Sequence, residues 1–227
     1  MDIAKLIDHT LLKPDAKEED IRKLCEEGEK YGFFSVCVNP FWVSFCYKFF
    51  SGSCGSKVKV CSVSGFPLGA TSALIKSKEA ELNVKNGADE VDMVINIGAL
   101  KDKNFKLLED EIKSVKSVIG EDKILKVILE TCVLTKEEKI EGAKIVLSSG
   151  ADFVKTSTGF GSAGAKIEDV KLLKKVVGDK IKVKASGGIR DYQTVVKMIE
   201  AGATRIGTSA GVKIIEERKR FEKERFQ

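Results

Sequence analysis

Short apolar runs alternate with longer amphipathic stretches along the whole chain. The short runs are rich in β-branched residues, as is typical of buried parallel strands, whereas the longer stretches place apolar residues three or four apart, which predicts helices. The predicted strands are residues 6–12, 33–39, 57–65, 90–98, 124–131, 153–159, 181–188 and 204–210. The predicted helices are residues 17–32, 41–52, 71–87, 104–120, 135–150, 166–178 and 191–202.

Several predicted helices end in the same way. The segments NGADE, SGADF and AGATR each place a glycine where a helix C-cap belongs, which indicates repeats of one βα unit. Thr135 and Asp191 are expected N-caps, and Glu138 completes a capping box with Thr135.

Eight strands that are each followed by a helix, with right-handed crossovers, favour a single (β/α)8 TIM barrel. An open doubly wound sheet is the alternative. Several strands carry single polar residues in their C-terminal halves, which suits a barrel with its site on that face. No linker or low-complexity stretch interrupts the pattern, so we expect one domain over residues 1–227.

Composition and charge exclude several classes of protein. No apolar run approaches the ~18 residues of a membrane span, and the first residues do not resemble a secretory signal, so we expect a cytoplasmic protein without membrane contact. The net charge of +5 comes from interleaved lysines and glutamates, which does not favour nucleic-acid binding. A small anionic substrate is compatible with it.

Three strand segments carry a charged residue among apolar neighbours. Lys155 lies in ADFVKTSTGF, Lys184 in KVKASGGIR, and Asp92 between Val91 and Met93. Because strand side chains alternate between the two faces, we expect these three charged groups to share the barrel interior.

Two lysines and a carboxylate in one interior suggest covalent catalysis. Burial and a second ammonium each lower the pKa of an amine, and an uncharged amine attacks a carbonyl to form a Schiff base. One lysine is then the nucleophile, while the other tunes it and relays protons. The alternatives are structural ion pairs with Asp92, or a lysine that reaches solvent from a barrel end, as we expect for Lys182.

Glycine-rich loops follow the last three predicted strands, as STGFGSAG, SGGIR and GTSAG. Glycines let backbone N–H groups approach an anion, and barrels commonly bind phosphate with the loops after strands seven and eight. The expected phosphate contacts are Gly187, Gly188, Gly207 and Ser209, with Arg190 nearby. The GFGSAG segment at 159–164 matches a dinucleotide motif, but the acidic residue that this motif needs at the end of the next strand is missing.

Other chemistries have little support. His9 is the only histidine, which excludes zinc sites built on paired histidines, and we expect it to be structural. The six cysteines include no C-x-x-C pair, and Cys37 is expected to be a packed thiol. No Walker motif or acidic metal cluster is present, so we expect a reaction without metal or cofactor.

The combination of IDHTLLKP, SVCVNP, VSGFPLGAT, EVDMVINIG, FVKTSTGF and VKASGGIR resembles the deoxyribose-phosphate aldolase family, class I aldolases on a (β/α)8 barrel. The likeness runs from about residue 7 to residue 211. It implies reversible, metal-independent cleavage of 2-deoxy-D-ribose 5-phosphate to D-glyceraldehyde 3-phosphate and acetaldehyde. It also implies a homo-oligomer, either a dimer or a tetramer.

The resemblance assigns roles to matching positions. Lys155 resembles the Schiff-base nucleophile, Lys184 the partner that favours its uncharged form and relays protons, and Asp92 the proton-transfer acid. Asp8 and Thr158 match positions near the substrate. Gly159, which follows Thr158 in the same loop, is a further expected substrate contact.

Two features depart from the family pattern. Ala210 stands where some members have a second serine, and the charged segment EERKRFEKERFQ ends without the tyrosine found in some relatives. These departures put in doubt the number of phosphate donors and any proton transfer by the tail.

The residues leave other functions open. A different Schiff-base aldolase or a transaldolase would use the same lysines. A sugar-phosphate isomerase would use Asp92 as a base without a covalent imine. A phosphosugar sensor without activity is a third possibility, which the presence of all three charged residues disfavours.

Overall fold

The computed structural model describes residues 2–53 and 55–224, and within them eight parallel strands close into one barrel in the order of the sequence. The (β/α)8 barrel expected from the alternation is therefore confirmed. The strands are β1 (Ile7–Leu11), β2 (Ser35–Val38), β3 (Lys59–Ser64), β4 (Glu90–Val94), β5 (Ile124–Ile128), β6 (Phe153–Lys155), β7 (Lys182–Ser186) and β8 (Arg205–Thr208).

Helices surround the barrel. They are α1 (Glu18–Tyr31), α2 (Val43–Gly52), α3 (Ala73–Lys85), α4 (Ile97–Lys101), α5 (Phe105–Ile119), α6 (Lys136–Ser148), α7 (Ile167–Val177), α8 (Tyr192–Glu200) and α9 (Gly211–Glu224). Short 3-10 turns lie at Ile3–Leu6, Pro40–Trp42 and Thr131–Val133. None of the helices in the described ranges has the length and apolar character needed to cross a bilayer.

The predicted helix ends are confirmed. Thr135 Oγ1 accepts from the Glu138 backbone N–H, and the Glu138 carboxylate accepts from the Thr135 N–H. Asp191 Oδ1 accepts from the Thr194 N–H at 2.8 Å. The glycine of each repeated segment has a positive φ, between 81° and 110°, which only glycine adopts without strain.

Most strands are shorter at their C-terminal ends than the sequence pattern predicts, and the end of the chain forms a helix that was not predicted. The fourth strand ends at Val94 because Asn96 caps the short helix α4, its Oδ1 accepting from the Ala99 N–H at 3.0 Å. The charged segment at the end of the chain is mostly helical: α9 extends to Glu224, while residues 225–227, where the family's tyrosine would lie, are outside the described residues.

The alternation of side chains determines what enters the barrel. Val91 and Met93 point outward into the hydrophobic layer beneath the helices, where they belong to the same cluster as Leu108 and Ile112 of α5. The intervening residues of β4 therefore face inward.

The register between strands aligns the charged positions. Asp92 lies opposite Lys126 of β5, Lys155 lies opposite Lys184, and Lys184 lies opposite Arg205 of β8. Parallel pairing thus places charged side chains from neighbouring strands at similar depths in the interior.

Candidate active site

Seven charged side chains meet inside the barrel, none more than 6% exposed. We call this set the interior cluster. It consists of Asp8 from β1, Glu90 and Asp92 from β4, Lys126 from β5, Lys155 from β6, Lys184 from β7 and Arg205 from β8.

Asp92 is the hub of the cluster. Its Oδ2 lies 2.7 Å from Lys155 Nζ and 2.7 Å from Lys184 Nζ, while its Oδ1 lies 2.8 Å from Lys126 Nζ. The structure therefore brings together the three residues that the sequence analysis singled out as catalytic. One carboxylate serves three lysine amines.

These contacts shift the ionisation of the group. Burial by itself raises the pKa of Asp92, but the ammonium groups around it dominate and hold that pKa well below its usual range. Burial also lowers the pKa of Lys184, but the Asp8 and Asp92 carboxylates outweigh it, so the pKa of Lys184 is raised. Burial thus acts on Lys184 in the expected direction, but the two carboxylates, which the sequence-based expectation did not include, reverse the net direction and favour its charged form.

A cavity of about 310 Å³ opens at the C-terminal ends of the strands. Lys155 is the member of the interior cluster that lines it, whereas Asp92 and Lys184 lie beneath. All but one of the predicted substrate-binding residues also line it: Thr158, Gly159, Gly187, Gly188, Arg190, Gly207 and Ser209.

Asp8 is the exception. It is fully buried below the cavity, where its carboxylate pairs with Lys184 at 2.5 Å and Arg205 at 2.8 Å and accepts from the Ser35 hydroxyl. Its position supports a role in holding Lys184 rather than in direct contact with a substrate.

The glycine loops form one wall of the cavity. Gly187 and Gly188 have φ values of 88° and 75°, which turn the backbone sharply after β7. Gly164 packs against this turn so closely that a Cβ there would lie 2.1 Å from the Gly187 carbonyl oxygen. The wall is therefore built from backbone, as expected of a site that receives an anion.

Comparison with known proteins agrees with this arrangement. A sequence model of DeoC/LacD family aldolases matches residues 3–217. This chain belongs to the DeoC/LacD aldolase family. It is 55% identical over 219 residues to a deoxyribose-phosphate aldolase of Clostridium tetani, covering 96% of this chain and 100% of the relative.

Solved structures of the same fold extend the likeness. The aldolase QR15 is 42% identical, with a TM-score of 0.92 and coverage of 98% of both chains. The deoxyribose phosphate aldolase of Aeropyrum pernix, described as a unique tetramer, is 34% identical with a TM-score of 0.88, covering 96% of this chain and 92% of that one. The resemblance inferred from the motifs is thereby confirmed.

The sequence analysis missed three members of the interior cluster of this DeoC/LacD aldolase. Lys126 carried the same signal as Lys155, because it stands between Leu125 and Val127 in a buried strand. Glu90 and Arg205 are the first residues of their strands, where polar residues are common, so their inward position follows only from the structure.

Glu130 is a further buried carboxylate that the sequence analysis did not identify. Its backbone is left-handed, with φ of 59°, and its carboxylate accepts from both the backbone N–H and the hydroxyl of Thr158. A left-handed conformation is costly for a residue with a side chain and tends to occur at functional sites. Here it ties the loop after β5 to the loop that carries Thr158 and Gly159.

The remaining candidates behave as structural groups. His9 Nε2 lies 2.7 Å from Glu27, and burial lowers the pKa of this histidine. Donor atoms of Cys37, Cys61 and Asp92 lie within 4.8 Å of one another, a spacing that a metal ion accepts. Lys126 Nζ lies 3.4 Å from Cys61 Sγ and 2.8 Å from Asp92 Oδ1, so a lysine ammonium already hydrogen-bonds two of these three groups.

Proposed function

We propose that this protein is a class I aldolase that reversibly cleaves 2-deoxy-D-ribose 5-phosphate to D-glyceraldehyde 3-phosphate and acetaldehyde. The observation that carries the proposal is the position of Lys155, whose amine reaches the cavity while hydrogen-bonding Asp92 beneath it. The high identity to relatives named deoxyribose-phosphate aldolase supports the choice of substrate.

The first step is formation of the imine. The uncharged amine of Lys155 attacks C1 of the open-chain sugar and gives a carbinolamine, and loss of water from this intermediate gives a protonated Schiff base. The departing hydroxyl needs a proton. Lys184 is charged and shares Asp92 Oδ2 with Lys155, so it is the proton donor that this geometry favours.

Cleavage follows from the protonated imine. Lys184, uncharged after giving its proton to the departing hydroxyl, accepts the proton of the C3 hydroxyl. The C2–C3 bond breaks, and its electrons pass into the iminium to form an enamine on Lys155, which the Lys184 ammonium can then protonate at C2. Glyceraldehyde 3-phosphate leaves with C3, C4 and C5. Protonation of the enamine at C2 and hydrolysis by water then release acetaldehyde and restore the amine.

The glycine wall is the proposed site for the phosphate of the substrate. Gly187, Gly188 and Gly207 present backbone that an anion can approach, and Ser209 and Arg190 also line the cavity. Binding energy gained at the phosphate orients C1 toward Lys155. Thr158 and Gly159 line the cavity on the side of the β6 loop.

The electrostatics of Asp92 disfavour the isomerase alternative. A general base works best when its pKa lies near the working pH, whereas three amines hold the pKa of Asp92 far below that range. Its carboxylate is better suited to holding and bridging the two lysines.

Borohydride trapping tests the proposal. The protein is incubated with acetaldehyde, reduced, digested and analysed by mass spectrometry. We expect one reduced two-carbon adduct on Lys155, and protection by excess deoxyribose phosphate. The absence of an adduct would reject the Schiff-base class, and an adduct on Lys184 instead would reverse the roles of the two lysines.

We further propose a cytoplasmic homo-oligomer, a dimer or a tetramer, that uses no metal or cofactor. The tetramer described for the Aeropyrum pernix aldolase supports assembly of this kind. Analytical ultracentrifugation at working concentration tests the assembly, and full turnover in the presence of EDTA tests independence from metal ions.

A further inference from the structure

Six of the seven members of the interior cluster form a closed ring of ion pairs in which the charge alternates. Asp92 pairs with Lys184, Lys184 with Asp8, Asp8 with Arg205, Arg205 with Glu90, Glu90 with Lys126, and Lys126 with Asp92. The distances are 2.7, 2.5, 2.8, 2.8, 2.6 and 2.8 Å in that order. We call this set the ring.

The ring is electrically balanced. It contains three carboxylates and three cations, and each cation contacts two carboxylates. Directions of pKa agree with ionisation of five members: despite burial, the pKa of Asp8 and of Asp92 is lowered by the cations, and the pKa of Lys126, Lys184 and Arg205 is raised by the carboxylates.

Lys155 is the seventh group and stands outside this balance. Its amine contacts one carboxylate oxygen, Asp92 Oδ2, which Lys184 already engages at the same distance. A proton on Lys155 would therefore add a net positive charge to a buried and otherwise neutral interior, where an uncompensated charge is costly.

We propose that the ring keeps Lys155 as the uncharged amine through its overall charge balance, and that Glu90 and Arg205, which lie away from the cavity, are positioning residues for this purpose. The inference rests on the proposed function, because it assumes that Lys155 is the nucleophile. Under this proposal the protonation of Lys155 depends on Glu90 and Arg205, which do not contact it, as well as on its neighbours Asp92 and Lys184.

The interior also contains two thiols that face these charges. Burial raises the pKa of Cys61, so it stays neutral. The Cys37 thiol lies within 4.8 Å of the Cys61 thiol and of Asp92, and it is close enough to Lys155 and Lys184 to interact with their charges. A thiolate at Cys37 would supply the negative charge that Lys155 otherwise lacks, so Cys37→Ala is a necessary control. The carboxylate of Glu130, in the loop after β5, accepts hydrogen bonds from the backbone N–H and the hydroxyl of Thr158.

The test is the pH dependence of reductive alkylation of Lys155 by acetaldehyde and cyanoborohydride, followed by mass spectrometry. The rate of alkylation falls at low pH as Lys155 becomes protonated, and we call this part of the profile the acid limb. Removing a carboxylate in Glu90→Gln makes protonation of Lys155 less favourable, so the acid limb moves to lower pH. Removing a cation in Arg205→Met makes protonation more favourable, so the limb moves to higher pH. Each shift is expected to be about one pH unit, the size of one charge–charge interaction across the interior.

The double variant Glu90→Gln/Arg205→Met restores the balance and is expected to return the limb to within about 0.3 pH units of wild type. Lys182→Met is the matched control for Arg205→Met. Both cations lie over the Phe153 ring, at 5.6 and 5.3 Å, but Lys182 is exposed and outside the ring. Its removal, like Cys37→Ala, should leave the limb in place.

Shifts in the same direction, or a displaced limb in the double variant, would overturn the inference, as would a shifted limb in Cys37→Ala. An unshifted limb in a folded single variant would also overturn it. If one single variant fails to fold, the shift of the other still decides, with the double variant as the check that the balance is restored. An absent adduct on Lys155 in the wild-type protein would instead reject the proposed function, so the two failures are distinguishable.

Discussion

Lys76 and Lys155 are both buried lysines that contact a carboxylate at 2.7 Å, yet their surroundings differ. Lys76 of α3 pairs with Glu111 of α5 behind the barrel wall, and its ammonium also donates to the Val94 carbonyl at 2.8 Å. The second oxygen of Glu111 accepts from the Asn96 N–H. The charges of this pair balance one to one, and backbone groups form the other hydrogen bonds of the ammonium and the carboxylate.

Lys155 shares its carboxylate with two other lysines and opens to a cavity. Burial of a lysine is therefore not by itself a sign of catalysis, since Lys76 is buried away from the cavity. Sharing of the counter-ion and access to a cavity distinguish a reactive lysine from a structural one. The following predictions test this distinction.

The largest expected effect is a contrast between two variants, one of which loses activity while the other loses stability. Lys155→Met should reduce turnover by about 10⁴-fold or more, because the nucleophile is lost, while the protein stays folded. Lys76→Met should leave turnover of the folded protein within about twofold but cost about 3–5 kcal/mol in free energy of unfolding, because Glu111 is left as an unpaired buried charge. Turnover assays and urea unfolding of both variants check this. Loss of activity in a folded Lys76→Met variant would contradict the distinction.

Lys184→Leu is expected to reduce turnover by about 10²–10⁴-fold, since the charged proton donor beside the nucleophile is removed. Steady-state kinetics at several pH values measures the change. Lys139→Leu is a suitable control because Lys139 pairs with Asp169 between α6 and α7, away from the cavity. Equal losses in the two variants would count against a role for Lys184 in proton transfer.

Asp92→Asn should lower the free energy of unfolding by about 3–5 kcal/mol at pH 7, because buried ammonium groups lose their shared anion. The folded-state pKa of Asp92 is lowered, so its contribution is fully present above the unfolded pKa of about 3.9 and is lost as the pH falls through the folded pKa. The difference in free energy of unfolding between wild type and Asp92→Asn should therefore become smaller below about pH 4. Urea unfolding at pH 7 and pH 3.5 measures it, and a gap that widens on acidification would refute this account.

The smallest effect is expected for the double variant Lys76→Met/Glu111→Leu. Burial lowers the pKa of Lys76 and raises that of Glu111, so the pair pays a desolvation cost that its attraction only partly offsets. Replacing both members by apolar residues should change the free energy of unfolding by less than about 2 kcal/mol and leave turnover unchanged. A collapse in activity would show that this pair also serves the site.

The barrel and the meeting of Lys155, Lys184 and Asp92 in its interior could be predicted from the sequence because both depend on local patterns. Lys155, Lys184 and Asp92 interrupt apolar strands, and alternation then places them inside. Lys126 also interrupts an apolar strand, so the same alternation of side chains could have placed it inside the barrel. The glycine loops were also found, because glycines that follow the last three strands are visible in the sequence and the C-terminal ends of barrel strands are the usual place for a site.

The rest depends on register and on backbone conformation. Arg205 reaches Asp8 and Glu90 across the interior, and no spacing within the chain encodes that meeting of three strands. Glu130 has no motif, because its left-handed backbone and its bonds to Thr158 arise from the packing of two loops. The contribution of Asp8 was assigned to the substrate, whereas the structure places it beneath Lys184.

The close contact of Gly164 with Gly187 limits how the enzyme can be redesigned for other aldehydes. A Cβ at position 187 would lie 2.9 Å from the Gly164 Cα, and one at position 207 would lie 3.1 Å from the Lys184 Cε, so a side chain at either position would displace backbone or Lys184. Phe160, at the mouth of the cavity, is 51% exposed. Libraries that aim to widen the range of acceptor aldehydes should therefore vary position 160 and leave the glycines intact.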